Sequence, residues 1–187
     1  MNFADVQGVL IENNYIHDFR LSPLSGDHPD MIQFWTTGTT EASTDIIIRN
    51  NTLDIGDGNW TQSIFMRNEL VDTGKAGAEM FYRNVLIENN TIYNSHLHGI
   101  TVGETKGLII RDNSVLHVPD TSIASGGTAP VNVPTIRVSA RSESVTITDN
   151  VTAAITGGSG QASWTIKNNA FVQSTNPFGV GFYGDVF

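Results

Sequence analysis

The sequence predicts an all-β protein, a right-handed parallel β-helix of about six coils with loop insertions that flank one sheet. Three observations predict this fold. A unit that closes on Asn recurs six times, a short β-prone segment follows each copy, and an apolar strand precedes four of the copies. Repeats spaced by about twenty residues, lengthened in some coils by loops, are typical of a solenoid whose coils stack on one another.

The recurring unit predicts one strand of each coil, which we call strand B. Its copies are Val9–Asn14, Ile46–Asn51, Val85–Asn90, Leu108–Asn113, Val145–Asn150 and Trp164–Asn169. Successive side chains of a strand point to opposite faces, so each copy has an inward and an outward position. The inward column is expected to read Ile11, Ile48, Ile87, Ile110, Ile147 and Ile166. Opposite charges then lie on adjacent coils in the outward column, which reads Glu12, Arg49, Glu88, Arg111, Thr148 and Lys167.

The Asn that closes every strand B is interpreted as structural. A short amide side chain tolerates the left-handed backbone conformation of a tight bend, and stacked amides can hydrogen-bond from coil to coil. We therefore predict a ladder of Asn side chains, followed on each coil by a short strand C. Trp164 takes an inward position on its strand B and is predicted to belong to the core.

A third strand, strand A, precedes four of the B strands. The segments are Asp30–Trp35, Gln62–Arg67, His98–Gly103 and Pro134–Ser139, aligned on Ile32, Ile64, Ile100 and Ile136. Insertions flank these segments at residues 20–29, 36–45, 68–84 and 119–133, and only the region 67–84 is expected to hold a helical turn. Because function in a β-helix is usually placed on loops that rise beside a flat face, we expect the site on this sheet.

Composition limits the classes of function. Of the 187 residues 39% are hydrophobic, which suffices for one core without disulfides or metal, and the absence of Cys excludes a thiol nucleophile and an iron–sulfur cluster. The net charge of −9 is the wrong sign for nucleic acid or an anionic membrane, so neither is expected as a partner. No apolar run would span a bilayer, and the first residues lack a signal-peptide pattern.

The repeat begins within the first ten residues, without a polar cap before it. We therefore expect residues 1–187 to form a single β-helix domain that is a fragment of a longer natural chain, with Met1 not the natural start. Exposed strand edges at the end coils would favour self-association or contact with further domains.

Polar and aromatic residues concentrate on strand A. Two residues before the aligned isoleucines are Asp30, Gln62 and His98, and two residues before those are His28, Trp60 and His96. The outward positions carry Gln33, Phe65, Thr101 and Arg137, followed by Trp35 and Arg67. An aromatic ring beside a cation and hydrogen-bonding groups suits a sugar, whose apolar face stacks while its hydroxyls and carboxylates are bonded.

A purely structural interpretation stays open beside this one. Asp30, Gln62 and His98 would then only complete the turn into strand A by bonding to the backbone. His17 and His117 are isolated from the cluster, on strand C, and are interpreted as ordinary surface or turn residues.

Metal motifs are weak. Residues 157–162 resemble the start of a calcium-binding nonapeptide without its Asp, and residues 54–57 lack the remainder of an EF-hand loop. The three clustered histidines are interpreted as acid, base or hydrogen-bonding groups rather than ligands. No cofactor is indicated, and calcium is the one candidate ion, because it would bridge the carboxylates of an acidic protein and an acidic substrate.

The repeat, over nearly the whole chain, resembles the pectin-lyase-like right-handed β-helix superfamily, whose members mostly bind, cleave or epimerise polysaccharides. The segment His98–Gly103 is similar to the His-Gly-Ile strand of polygalacturonases, Asp30–Ile32 falls at their Asp-Gly-Ile strand, and Arg137 falls near their Arg-Ile-Lys strand. Their middle strand carries an acidic pair where this chain has Thr61–Ser63, so the resemblance disfavours a glycoside hydrolase.

The superfamily also includes polysaccharide lyases and alginate C5-epimerases, whose chemistry fits these residues better. They need a group that neutralises the uronate carboxylate, a base for the C5 proton and an acid. The first role suits Arg67 or Arg137, by a bidentate bond. For the base and acid we choose among His28, His96 and His98, because the unperturbed pKa of His lies near neutrality, with Asp30 orienting one of them or raising its pKa.

We therefore expect a lyase or C5-epimerase that acts on an acidic polysaccharide, secreted by a bacterium or associated with a phage. Substrate contacts are expected from Gln33, Trp35, Trp60, Gln62, Phe65 and Arg137. The alternative is a non-catalytic module that binds glycans or has a structural role within a larger secreted or virion protein. The small number of coils favours this alternative, because a groove for several sugars usually needs more of them.

Overall fold

The computed structural model describes residues 1–20, 29–59, 61–118 and 133–174. The strands, coil by coil, are β1 (Asn2–Phe3), β2 (Gln7–Glu12), β3 (Tyr15–His17), β4 (Asp30–Phe34), β5 (Thr44–Arg49), β6 (Thr52–Asp54), β7 (Gln62–Met66), β8 (Tyr82–Glu88), β9 (Thr91–Asn94), β10 (His98–Val102), β11 (Thr105–Arg111), β12 (Ser114–His117), β13 (Thr135–Val138), β14 (Glu143–Thr148), β15 (Val151–Thr152), β16 (Ile155–Thr156), β17 (Thr165–Lys167) and β18 (Ala170–Phe171). One short helix, α1 (Glu69–Asp72), and a 3₁₀ turn (Ala78–Met80) complete the described elements.

These strands form three parallel sheets of six strands each. Sheet A has the order β1-β4-β7-β10-β13-β16, sheet B the order β2-β5-β8-β11-β14-β17 and sheet C the order β3-β6-β9-β12-β15-β18. Each coil contributes one strand to every sheet, so the predicted right-handed parallel β-helix of six coils is confirmed. The helical turn expected within residues 67–84 is also present, as α1 and the 3₁₀ turn.

The predicted strand register is confirmed in sheet B, and in sheet A it is confirmed for the aligned isoleucines. Ile32 pairs with Ile64, Ile64 with Ile100, and Ile100 with Ile136. Sheet A has two further strands, β1 and β16, which were not predicted because two residues are too few to show a period.

The inward isoleucines of sheet B stack as predicted and fill the core. Five of them are almost fully buried, and each contributes about 1.5–3 kcal/mol by leaving water. Ile166 is an exception: it continues the column but is 39% exposed, because β17 is the last described strand of sheet B. Trp164 is buried in the core as predicted, and its indole N–H donates to the Ser142 carbonyl at 3.1 Å.

The predicted Asn ladder is continuous. Each side-chain amide donates from Nδ2 to Oδ1 of the Asn on the following coil, at 2.9–3.0 Å, through Asn14, Asn51, Asn90, Asn113, Asn150 and Asn169. The prediction was wrong about the left-handed residue. Positive φ angles, between 50° and 59°, belong to the residue before each ladder Asn: Asn13, Asn50, Asn89, Asp112, Asp149 and Asn168. The preceding residue makes the bend, which leaves the ladder Asn free to point inward.

Candidate functional site

The outward face of sheet A carries one continuous row of side chains. In register, the row reads Asn2, Gln33, Phe65, Thr101, Arg137 and Thr156. Its middle members are partly exposed between buried neighbours on their own strands. The row therefore forms an accessible strip along the solenoid, at the position where the sequence analysis expected substrate contacts.

His98 joins this strip because of a β-bulge. His98 pairs with Thr135 while Ile100 pairs with Ile136, so His98 and Gly99 together oppose one residue. Regular alternation would direct His98 to the same side as Ile100, into the core. A bulge re-aims the side chain of the bulged strand. Accordingly, His98 Nδ1 lies 2.8 Å from the Thr101 hydroxyl on the outer face.

Gly99 makes this bulge sterically feasible. A Cβ atom at position 99 would lie 2.4 Å from Cγ1 of Val115 and 3.0 Å from Cβ of Pro134. Any larger residue would push the strand away from the core, so the glycine fixes the place at which His98 turns outward.

Two rings surround the His98 imidazole. Phe65 meets it edge to face, with ring centroids 5.0 Å apart, and His96 stacks on it at 5.3 Å. The backbone N–H of His98 donates to Nδ1 of His96 at 3.2 Å. A nitrogen that accepts a hydrogen bond carries no proton, so neutral His96 holds its proton on Nε2.

Arg137 lies beside Thr101 on the next coil. Among the described residues, its guanidinium has neither a hydrogen bond nor an ion pair. A guanidinium presents a fork of donors that matches a carboxylate. This cation is therefore available to an acidic ligand.

Arg67, the second predicted arginine, is held in a network. Its Nε lies 3.2 Å from Asp72, which also lies 3.5 Å from Arg141. Arg141 in turn donates to the buried Glu104 carboxylate at 2.5 Å, and Ser139 donates to the same oxygen at 2.8 Å. The network fixes the Arg67 side chain at one side of the strip.

Tyr82, which is buried, contacts the backbone of this ion-pair network. Its hydroxyl donates to the Arg67 carbonyl at 2.7 Å. Burial, and to a lesser degree the carboxylates of Glu69, Glu104 and Asp72, raise the pKa of the Tyr82 phenol far above its usual range. The phenol is therefore protonated at neutral pH and can donate this hydrogen bond.

Several of these residues line a groove of about 300 Å³. Its charged and polar lining consists of Arg67, Asn68, Asp72, His98, Thr101, Arg137, Ser139 and Thr156, with Phe65 as the aromatic member. Two cations and one carboxylate make the groove locally positive in a protein whose net charge is −9. The groove thus has the charge and hydrogen-bonding groups to hold a sugar carboxylate.

Other predicted residues lie elsewhere. Asp30 and Gln62 pair with each other on adjacent coils as predicted, but they are only 7% and 8% exposed and do not line the groove. The expected column of Asp30, Gln62 and His98 is broken, since the bulge directs His98 to the opposite face. Gln33 lies on the outward strip one coil beyond the groove lining, and Trp35 is an exposed residue on the same strand end.

Two predicted residues, His28 and Trp60, lie outside the described residues, as does most of the insertions 20–29 and 119–133. Three residues of the network were not predicted from the sequence: Asp72, which pairs with Arg67, and Arg141 and Glu104, which extend the network from Asp72. The one available signal was the charged pair Arg67 and Asp72 at the start of an insertion, five residues apart.

Within residues 1–20, 29–59, 61–118 and 133–174, no group of three or more His, Asp or Glu residues is arranged to hold a metal ion. In the same part of the chain, no helix has the length and apolar character required to cross a membrane.

Comparisons with known proteins agree with this architecture. A family model with the description "right handed beta helix region" matches residues 55–185, which is well over half of the chain. No curated protein and no solved structure gives a significant match.

Proposed function

The chain belongs to the right-handed β-helix family, and on this premise we propose that it acts on an acidic, uronate-containing polysaccharide as a lyase or C5-epimerase. The observation that carries the proposal is the Arg137 guanidinium, which has no partner among the described residues and lies in a groove with His98 and Phe65. Polymers of this kind occur outside cells, so the proposal includes an extracellular location.

Lyases and C5-epimerases share their first step, the removal of the C5 proton of a uronate. In the proposal Arg137 binds the uronate carboxylate, with Arg67 beside the groove as a second cation. Negative charge develops on that carboxylate as the proton leaves, so a guanidinium stabilises the transition state more than the ground state. Without this cation the C5–H bond would be too weakly acidic for a side-chain base.

His98 is the proposed base. Neutral imidazole accepts a proton near neutral pH, and contact with Thr101 and Phe65 holds the ring in one orientation. In a lyase, the C5–H electrons then form the C4–C5 double bond, the C4–O bond breaks, and the departing oxygen takes a proton. In an epimerase, a proton returns to C5 from the opposite face. His96, stacked on His98 and therefore on the same side of the sugar, is the nearest candidate for the acid that protonates the departing oxygen of a lyase.

A glycoside hydrolase is disfavoured by the same groove. Hydrolysis needs two carboxyl groups facing the glycosidic bond. Among the described residues, the carboxylate that lines the groove is Asp72, which is bonded to Arg67 and close to Arg141. Asp30, the acidic residue predicted on strand A, is buried.

A non-catalytic glycan-binding module is the second candidate. The involvement of Asp72 with two arginines favours it, since binding needs cations and an aromatic ring but no free acid. The two candidates predict the same ligand and differ in whether the ligand changes.

A proton NMR time course tests both candidates. The protein is incubated with alginate, with polygalacturonate and with a neutral glucan, each with and without calcium. Vinyl proton signals would identify a lyase, and altered uronate ratios at constant chain length an epimerase. Line broadening of the uronate polymers alone, without chemical change, would identify a binding module. The proposal fails if neither uronate polymer binds or changes, or if the neutral glucan behaves in the same way.

A further inference from the structure

Sheet B carries an apolar stripe on its outward face. The stripe lies one residue before the inward isoleucines and consists of Leu10, Ile47, Leu86 and Ile109. Leu10 is 52% exposed and Ile109 is 41% exposed. On the fifth and sixth coils the same column continues as Thr146 and Thr165. The apolar surface is therefore confined to the first four coils.

Charges alternate in sign along the same four coils. The charged column lies two residues after the apolar stripe on each strand and reads Glu12, Arg49, Glu88 and Arg111. Within the chain these residues pair as Arg49 with Glu12 at 2.8 Å and Arg111 with Glu88 at 2.6 Å. The alternation ends at Thr148 on the fifth coil. An apolar stripe and an alternating row of charges thus begin and end together.

We propose that this face binds a second copy of the chain, in a dimer whose two solenoids are antiparallel. The two-fold axis of this dimer runs parallel to the strands of sheet B. Such an axis places the first coil opposite the fourth and the second opposite the third, while each position along the strand is kept. Glu12 then faces Arg111 of the partner subunit, and Arg49 faces Glu88 of the partner subunit. The symmetry doubles these contacts, so four unlike pairs form across the interface.

The apolar stripe is self-complementary under the same axis. Leu10 meets Ile109 of the partner subunit, and Ile47 meets Leu86 of the partner subunit. Ile47, Leu86 and Ile109 line a groove of about 500 Å³ on this face, which would receive the protruding Leu10 side chain. Burial of these side chains supplies the attraction, and the charges fix the orientation.

The remaining outward charges are compatible with this arrangement. At the start of the strands the third column reads Gln7, Thr44, Arg83 and Lys106. The antiparallel axis brings Arg83 opposite Thr44 and Lys106 opposite Gln7, so no like charges meet.

In the alternative dimer the two-fold axis runs parallel to the solenoid, through the apolar stripe, and the strands of the two copies are antiparallel. The charged column of one copy would then face Gly8, Asp45, Asn84 and Gly107 of the other. Only Arg49 would meet an unlike charge, so the antiparallel arrangement is favoured.

The interface is small. Four coils spaced by about 4.8 Å and six residues of about 3.3 Å give about 400 Å² per copy, half of a standard interface side. We therefore expect a weak dimer with a Kd in the micromolar range, about 10–1000 µM.

Sedimentation velocity over about 5–500 µM protein tests the dimer. Glu12→Arg and Arg111→Glu, each alone, should raise the Kd about tenfold or more, because each creates like-charge pairs across the interface. An equimolar mixture of the two variants should dimerise again, since position 12 of one chain then meets an unlike charge at position 111 of the other. Lys167→Glu, in the same column on the sixth coil, is the matched control and should leave the Kd unchanged.

Crosslinking determines the orientation, because the chain has no native Cys. A mixture of the Ile47→Cys and Leu86→Cys variants, treated with a short bismaleimide that spans the roughly 10 Å between two packed sheets, should form more crosslinked dimer than either variant alone. Circular dichroism of each variant confirms that the β-helix is retained. The proposal is overturned if the unaltered chain stays monomeric throughout, if mixing restores no dimer, or if the single cysteine variants crosslink better than their mixture.

Discussion

Nδ1 of His98 lies 2.8 Å from the hydroxyl oxygen of Thr101, three residues along the same strand. In a regular strand, residues three apart point to opposite faces, so this contact exists only because the bulge adds a residue between them. The hydroxyl holds the plane of the imidazole, and in the proposed function this contact orients the base.

Replacing Thr101 by Val should therefore weaken catalysis more than binding. The substitution keeps the shape and removes the hydroxyl, so we expect kcat on a uronate polymer to fall about tenfold with KM nearly unchanged. The measurement is the absorbance or NMR signal of product against substrate concentration. Thr146→Val, at an outward position on sheet B, is the matched control; an equal loss in both variants would contradict the role of Thr101.

Replacing Arg137 by Ala should remove the proposed carboxylate site. We expect kcat/KM, or the affinity if no catalysis occurs, to fall about 100-fold, which corresponds to about 2.7 kcal/mol for a charge-assisted bidentate bond. Arg67→Ala should have a smaller effect in the same direction. Titration with a uronate oligosaccharide measures both, and Arg83→Ala is the control arginine outside the groove. Full activity of both groove variants would exclude the proposed charge neutralisation.

Replacing Gly99 by Ala should displace the bulge. The new Cβ would approach Cγ1 of Val115 to 2.4 Å, so we expect a loss of about 1–3 kcal/mol in the free energy of unfolding. Urea unfolding followed by circular dichroism measures this loss. Truncating Val115 to Ala makes room for the added methyl group, so Gly99→Ala should cost much less in that background. Equal costs in both backgrounds would show that the contact with Val115 is not the cause.

Replacing Asn113 by Ala should interrupt the ladder at an interior coil. The change removes one of the three acceptors of the Asn90 side-chain amide and the Oδ1 that accepts from the backbone N–H of Asn90, both in the buried interior. We expect a loss of about 2–4 kcal/mol in the free energy of unfolding. Asn14→Ala, on the partly exposed first coil, should cost less, and equal losses measured by urea unfolding would argue against burial as the reason.

Acid should destabilise the protein through His117. Burial lowers the pKa of this imidazole below its usual value of 6.5. Between the lowered and the usual pKa the unfolded chain binds more protons, so stability falls as the pH drops below about 6.5. In thermal unfolding, the decrease of Tm from about pH 7.5 to about pH 5.5 should be smaller for His117→Gln than for the unaltered chain. An unchanged pH dependence would contradict the assignment.

The fold was predictable because its signals repeat. Six copies of one motif predicted the register of sheet B, and four aligned isoleucines predicted most of that of sheet A. Ile166 continues its column but is exposed, because its strand lies at the edge of the described sheet. The positive φ was assigned to the ladder Asn instead of the residue before it, since Asn and Asp occupy both positions and their side chains tolerate that conformation equally well.

The groove was less predictable because it depends on departures from the repeat. A period of two cannot reveal that Gly99 creates a bulge, so Asp30, Gln62 and His98 were placed in one column although His98 faces the other side. Asp72 comes from an insertion without a counterpart on other coils, and its contact with Arg67 follows from a loop conformation that no pattern encodes.

All the ladder amides of the Asn series point in one direction along the solenoid, each donating to the coil that follows it. Every interior coil therefore makes the same two connections: its Asn amide donates to the following coil, and its Asn Oδ1 accepts from the preceding coil. A duplication or deletion of one whole coil would leave every remaining connection satisfied, whereas removing part of a coil would not. The length of such a protein can thus change during evolution in units of one coil, while the loops that shape its groove diverge independently.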